Sequence, residues 1–244
     1  MSYIKNNLLS IDLDIIFKDS INLYNSYIND APKKRIWDEI QKENFEINYN
    51  YDIYNILYNF ISSLPLERIK KIFLGENHSS IILASDYIYK INPKKINLIN
   101  IDHHHDIFYN SIQEEDIVKY NCCGPANWVS FLYKEGIINK DYYWIKNDNS
   151  EFFNLENLYF FDKKNFLKIH YIDSSKLNIF FQNYRKEIEY LYITSSDKWC
   201  PPQFREKIDN IFNLLLLKAK EKVINYNYNI SHPDNAPINY FNRS

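Results

Sequence analysis

Glycine is scarce in this 244-residue chain, with only 3 in all. That excludes the Gly-rich phosphate loops of P-loop and Rossmann proteins, whose backbone must approach a phosphate closely. Cysteine also numbers only 3, and two of these, Cys122 and Cys123, are adjacent, so there is no disulfide framework. A reducing, cytoplasmic setting is expected. Neither sign of charge is in excess: the net charge of −2 implies no basic face and argues against nucleic acid as a partner. No apolar run approaches the roughly 18 residues of a membrane span. The stretch Phe212 to Ala219 is short and runs into Lys220, Glu221 and Lys222. The first residues lack the charged and apolar regions of a signal peptide, so no membrane partner is expected.

What the chain does have is apolar and aromatic content, 45% and 17% of residues, which rules out intrinsic disorder. Its length suits one large domain or two small ones. With no repeat and no linker, a single domain over 1–244 is expected, with a loose tail over 231–244. Six runs rich in β-branched and apolar residues read as buried strands: Leu8 to Leu13, Ile72 to Leu74, Ile96 to Ile101, Tyr142 to Ile145, Ile169 to Ile172 and Tyr190 to Thr194. Helical spacing appears in Tyr54 to Leu64 and in Gln203 to Tyr226, where Phe204, Ile208, Ile211, Phe212 and Leu215 share a face. Pro125 to Lys134 starts with Pro and closes at Gly136, as helices do. Nearly continuous apolar strands alternating with helices predict an α/β fold, a mostly parallel sheet covered by helices on both faces.

In such sheets ligands bind beyond the carboxyl ends of the strands. Three predicted strands end in ligand-type residues. Ser10-Ile11-Asp12-Leu13-Asp14 places two carboxylates two residues apart, on one side of an extended chain; a turn or helix cap is the alternative for this pair. Gly75-Glu76-Asn77-His78-Ser79 follows the second run, and a structural histidine is the alternative there. Asp102-His103-His104-His105-Asp106 follows the third. On an extended chain Asp102, His104 and Asp106 face one way, and His103 and His105 face the other or open a loop. A solvated polar loop is the alternative. Four of the 6 histidines lie in this cluster and at His78. Together these stretches offer four carboxylates and two imidazoles, a mix too oxygen-rich for structural zinc. It suits Mn, Fe(II), Co or Zn in a hydrolytic site, and it is enough for two ions sharing bridging carboxylates.

These elements resemble the ureohydrolase superfamily, which includes arginase and agmatinase. The three stretches are similar to its Ser-x-Asp-x-Asp, Gly-Gly-Asp-His-Ser and Asp-Ala-His-x-Asp motifs. Asp-x-Asp comes first here and last in arginase. In arginase's place for it stands Thr194-Ser195-Ser196-Asp197-Lys198-Trp199-Cys200-Pro201-Pro202. That run, together with Cys123-Gly124-Pro125-Ala126-Asn127-Trp128, resembles a rearranged branch containing peptide arginases, which convert arginine side chains of ribosomal peptides to ornithine.

The resemblance implies an arginase-like three-layer fold and two Mn2+ per chain. Asp12, His78, Asp102 and Asp106 would hold one ion and Asp12, Asp14, Asp102 and His104 the other, with Asp12 and Asp102 bridging. It implies a hydroxide between the metals that attacks a guanidinium carbon and releases urea. Asp106 is the implied proton relay, and His103 or His105 a shuttle or support. Glu76, Asp197 and Glu115 are candidates to bind the substrate cation, and Trp128 and Trp199 to stack on it. The expected partner is an arginine-containing peptide or small guanidino compound, with a homo-oligomer left open. The alternatives are a related metal-dependent deacylase or amidohydrolase, and a non-catalytic metal-binding module on the same fold.

Overall fold

All six apolar runs form strands in the computed structural model, which describes residues 6–17, 49–75, 77–108, 117, 120, 122–148, 150, 167–195 and 204–226. The strands are β1 (Asn6–Asp12), β2 (Lys71–Gly75), β3 (Ile96–Ile101), β4 (Asp141–Lys146), β5 (Lys168–Asp173), β6 (Tyr190–Thr194) and a seventh, β7 (Val223–Tyr226). They make one sheet in the order β5-β4-β3-β1-β6-β2-β7, with every pairing parallel. Parallel neighbours need long crossovers, and here these supply helices α1 (Tyr51–Ser62), α2 (Ile81–Ile91), α3 (Trp128–Lys134), α4 (Leu177–Tyr184) and α5 (Arg205–Ala219).

Adjacent residues of a strand face opposite sides, so each central strand feeds two cores. Leu9 and Ile11 of β1 pack in a cluster with Ile53 and Leu57 of α1, Leu177 and Phe180 of α4, and Ile208 and Ile211 of α5. Leu8 packs on the other face with Ile81 and Ile88 of α2 and Trp128 and Phe131 of α3. The result is an α/β fold of three layers. Each large apolar side chain so buried contributes about 1.5–3 kcal/mol, which is why strands covered on both faces carry continuous apolar runs. Among the described residues, no helix is long and apolar enough to cross a membrane.

Local chemistry sets the helix ends. Asn50 caps α1, its side-chain oxygen accepting from Ile53 N–H at 3.2 Å. Gly136 takes φ +71° just beyond α3, the left-handed conformation that suits glycine there. Pro125 to Asn127 form a turn, and helical hydrogen bonding begins only at Trp128. The helix expected over Gln203 to Tyr226 is corrected. It stops at Ala219, a turn follows over Lys220–Lys222, and Val223–Tyr226 pairs with β2. β-branched Val223 and Ile224 favour the strand, and Tyr226 lies parallel to Phe73 with centroids 5.9 Å apart. The expected tail over 231–244 lies outside the described residues.

Register carries this architecture to the site. Ile11 pairs with Ile101, Asp12 with Thr194, and Gly75 with Thr194, so β3, β1, β6 and β2 end level. Gly75 is also a point of close approach: a Cβ there would collide with the Tyr192 hydroxyl and Ser80 Oγ. That hydroxyl in turn bonds Ser80 Oγ at 2.6 Å and the Asn77 carbonyl at 2.7 Å. Gly75→Ala is therefore expected to destabilise the protein by about 1–3 kcal/mol, the usual penalty for overpacking, read as a lower midpoint in thermal or urea denaturation.

Candidate metal centre

Asp12 is the last residue of β1, and its carboxylate caps the tight turn Leu13–Ile16, with Oδ1 accepting from Asp14 N–H at 3.1 Å. The capping and ligand readings of this pair therefore coexist. It is this turn, rather than strand alternation, that brings Asp14 beside Asp12. His78 opens the turn His78–Ser80 after β2. Its Nε2 lies 2.7 Å from Ser10 Oγ, and its ring runs parallel to that of Tyr192. This leaves Nδ1 among the carboxylates. Asp102 emerges from β3 and is held on every side. Its Oδ2 accepts from Asn100 Nδ2 at 3.1 Å and its Oδ1 from His104 N–H at 2.8 Å, while its carbonyl accepts from Trp144 Nε1 at 3.0 Å.

These loops converge. His78 Nδ1 is 2.8 Å from Asp102 Oδ2, 3.0 Å from Asp106 Oδ2 and 3.3 Å from Asp12 Oδ2. His104 Nδ1 is 3.2 Å from Asp14 Oδ2 and 3.7 Å from Asp102 Oδ1. Two ligand sets result, Asp12–His78–Asp102 and Asp14–Asp102–His104, with the donor atoms of each within 4.8 Å of one another. Asp102 belongs to both. Asp12 stands in the first set, and its Oδ1 accepts from the Asp14 N–H.

The donors fit a cation. Three carboxylate oxygens crowd His78 Nδ1, yet this buried nitrogen makes no well-directed hydrogen bond. Oxygens and nitrogens converging this way, in a pocket where Asp12, Asp14, Asp102 and Asp106 are all buried, could hold a metal ion. His104 is the partly exposed member.

The electrostatics give the same picture. Burial, reinforced by Asp12 and Asp102, pushes the Asp14 carboxyl up to about 7. Burial and the Asp102 charge raise Asp106 well above the usual carboxylate range. Burial opposes charge on His78 and His104, but the surrounding carboxylates outweigh it and hold both imidazoles well above 6.5. Burial likewise opposes charge on Asp102, and the two imidazoles overcome it, leaving this carboxyl well below its usual value. Bound protons thus offset the carboxylate charge that a cation would otherwise balance.

Two neighbouring histidines stand apart from the ligand sets. Burial, with His104 and Lys146 nearby, lowers His103 to about 3, so it is neutral, and its buried Nδ1 has no hydrogen-bond partner. His105 Nδ1 accepts from Ile107 N–H at 3.2 Å, and its ring meets Trp144 edge-on. Trp128, expected as a stacking platform, is wholly buried, and its indole N–H donates to Asp106 Oδ2 at 2.6 Å. It exposes no face to a guanidinium. Burial raises the Cys123 thiol, the opposite of an activated nucleophile. Glu76, Glu115, Asp197 and Trp199 lie outside the described residues.

Sequence reasoning missed Asn100, Tyr142 and Trp144 as supports. Asn100 Nδ2 also donates to Tyr142 Oη, which donates to the His105 carbonyl. An asparagine two residues before Asp102 in an apolar strand was the available signal. Comparison of the chain with family models, curated proteins and solved structures finds no match.

A cation entering here must displace protons. Below about pH 7 Asp14 carries one, and above it does not; the raised Asp106, His78 and His104 act in the same sense. Mn2+ affinity measured by calorimetry is expected to rise steadily from about pH 5.5 to 8, with proton release on binding. An affinity independent of pH would contradict this proton balance.

Proposed function

We infer that the protein is a binuclear manganese hydrolase of a guanidino C–N bond, of ureohydrolase type, converting arginine to ornithine and releasing urea. An arginine within a peptide, or another bulky guanidino compound, is the preferred substrate. The observation that carries this reading is the position of Asp102, one carboxylate common to two ligand sets. A pair of divalent cations held there would supply Lewis acidity and lower the pKa of water for hydrolysis at neutral pH. Asp12, His78 and Asp102, with Asp106 alongside, would hold one ion; Asp14, Asp102 and His104 would hold the other.

The side chains divide the remaining work. Ser10 fixes the His78 ring through Nε2, so Nδ1 stays directed at the carboxylates. Asn100 and Trp144 hold Asp102 by its side chain and its carbonyl. Asp106 is the proton relay to the leaving amine. The His103 N–H faces Asp14 Oδ1 at 3.5 Å and its ring is neutral, which favours a support of the Asp14 turn over a shuttle. With water added at the guanidinium carbon and the C–N bond to the side chain broken, Asp106 would return the proton to the departing amine, and the products would be urea and an ornithine side chain.

A second reading rests on the set Asp12–His78–Asp102 alone, since three protein ligands suffice for a single catalytic zinc. It describes a deacylase acting on an amide.

Mass spectrometry of arginine peptides incubated with the Mn2+-loaded protein is expected to show a loss of about 42 Da with urea released, the outcome of hydroxide attack on the guanidinium carbon. Acetate release from acetyl-lysine peptides would select the deacylase instead. Bound metal with neither product would indicate a binding module. Asp102→Ala is expected to abolish turnover with the fold retained, and His103→Ala to be milder than His104→Ala. Wild-type turnover in Asp102→Ala would refute the two-ion site.

A further inference from the structure

The Cys123 to Trp128 stretch has no part in the chemistry assigned so far, yet it runs directly into the metal-centre loop. Gly124 N–H donates to Asn127 Oδ1 at 2.7 Å, tying the turn to the start of α3. From that start three successive residues reach back to the Asp106 loop. Trp128 Nε1 donates to Asp106 Oδ2 at 2.6 Å, Val129 N–H to the Asp106 carbonyl at 3.0 Å, and Ser130 Oγ to the Ile107 carbonyl at 2.7 Å. Asp106 itself has φ +52°, the one non-glycine residue with positive φ among those described. A non-glycine residue held there is uncommon and must be secured by its surroundings. The loop is therefore pinned in a strained shape, and the oxygen bonded by the indole is the one 3.0 Å from His78 Nδ1. The indole ring also packs on His78, with centroids 4.8 Å apart.

We propose that Trp128 is the latch on this loop, a positioning residue whose indole N–H sets the Asp106 carboxylate against His78 for cation binding. The proposal rests on the metal-centre reading above and adds a determinant of its affinity. Groups that orient a ligand from behind typically change metal affinity or activity by 10–100-fold when removed. A tryptophan suits this role because its buried ring fills α3's core position while a single N–H makes a fixed bond. Phenylalanine keeps most of that apolar volume and loses the donor.

The test titrates MnCl2 alone into the full-length protein and reads free Mn2+ by electron paramagnetic resonance. Trp128→Phe is expected to bind Mn2+ about 10–100-fold more weakly than wild type. Ser130→Ala removes a bond from the same helix to the same loop without touching Asp106; it is expected to lower the melting temperature and leave Mn2+ affinity unchanged. Equal affinity of Trp128→Phe and wild type overturns the proposal, and so does an equal loss in both variants, which would make the effect one of loop stability. If wild type itself binds no Mn2+, the metal-centre reading fails, and that result is distinct from either. Should Trp128→Phe not fold, the Trp128 indole N–H resonance of wild type decides during titration with Zn2+ alone. It moves if Asp106 takes up the cation, and an unmoved resonance overturns the proposal.

Discussion

The burial of the Asp102 carboxylate is the constraint from which the rest of the site follows. An uncompensated charge at that depth would cost many kcal/mol, so its surroundings have to answer it. Imidazoles approach from two loops, Asn100 donates to one oxygen, and a backbone N–H donates to the other. Burial and the charge of neighbouring carboxylates raise Asp14 and Asp106 and favour protons on both. A cluster of this kind is expensive as a structural device, since apolar residues of similar volume would stabilise the same space better. Its presence at the end of a well-packed sheet fits residues that could hold a cation.

The sheet makes the cluster achievable. Parallel strands put their carboxyl ends on one edge, and level register places the residues after β1 and β3 side by side. β6 intervenes between β1 and β2, and the His78 turn crosses it by lying over Tyr192, whose ring runs parallel to the imidazole. That crossing requires the space beside Gly75, which a side chain would fill. The cores on the two faces then fix the strands from which the ligands project, so the donor atoms are held by packed elements rather than by loop conformation alone.

The supports are as specific as the ligands. Ser10 holds His78, Trp144 and Asn100 hold Asp102, and Trp128 holds Asp106. Each makes its hydrogen bond through a buried side chain on a strand or helix. The proposed hydrolase and the latch at Trp128 both draw on this arrangement: orientation is set before any substrate arrives, which is what a preorganised site requires.

Much of this was legible in the chain itself. Continuous β-branched runs, which reflect burial on both faces, announced the strands and the parallel α/β class. The unusual density of Asp and His at three strand ends marked the candidate site, because such residues rarely accumulate where packing alone is at stake. Local sequence could not separate the end of α5 from β7, since Val223 and Ile224 extend an apolar pattern that fits either element until β2 is seen beside them. Nor could it show that a tight turn rather than strand alternation aligns Asp12 with Asp14, that Trp128 is buried behind Asp106 rather than presented outward, or that Asp102 stands in both ligand sets. Residue types and spacing determine which groups are available at each strand end. Which of them meet depends on strand order and register, and those are set by long-range packing that no single stretch of sequence contains.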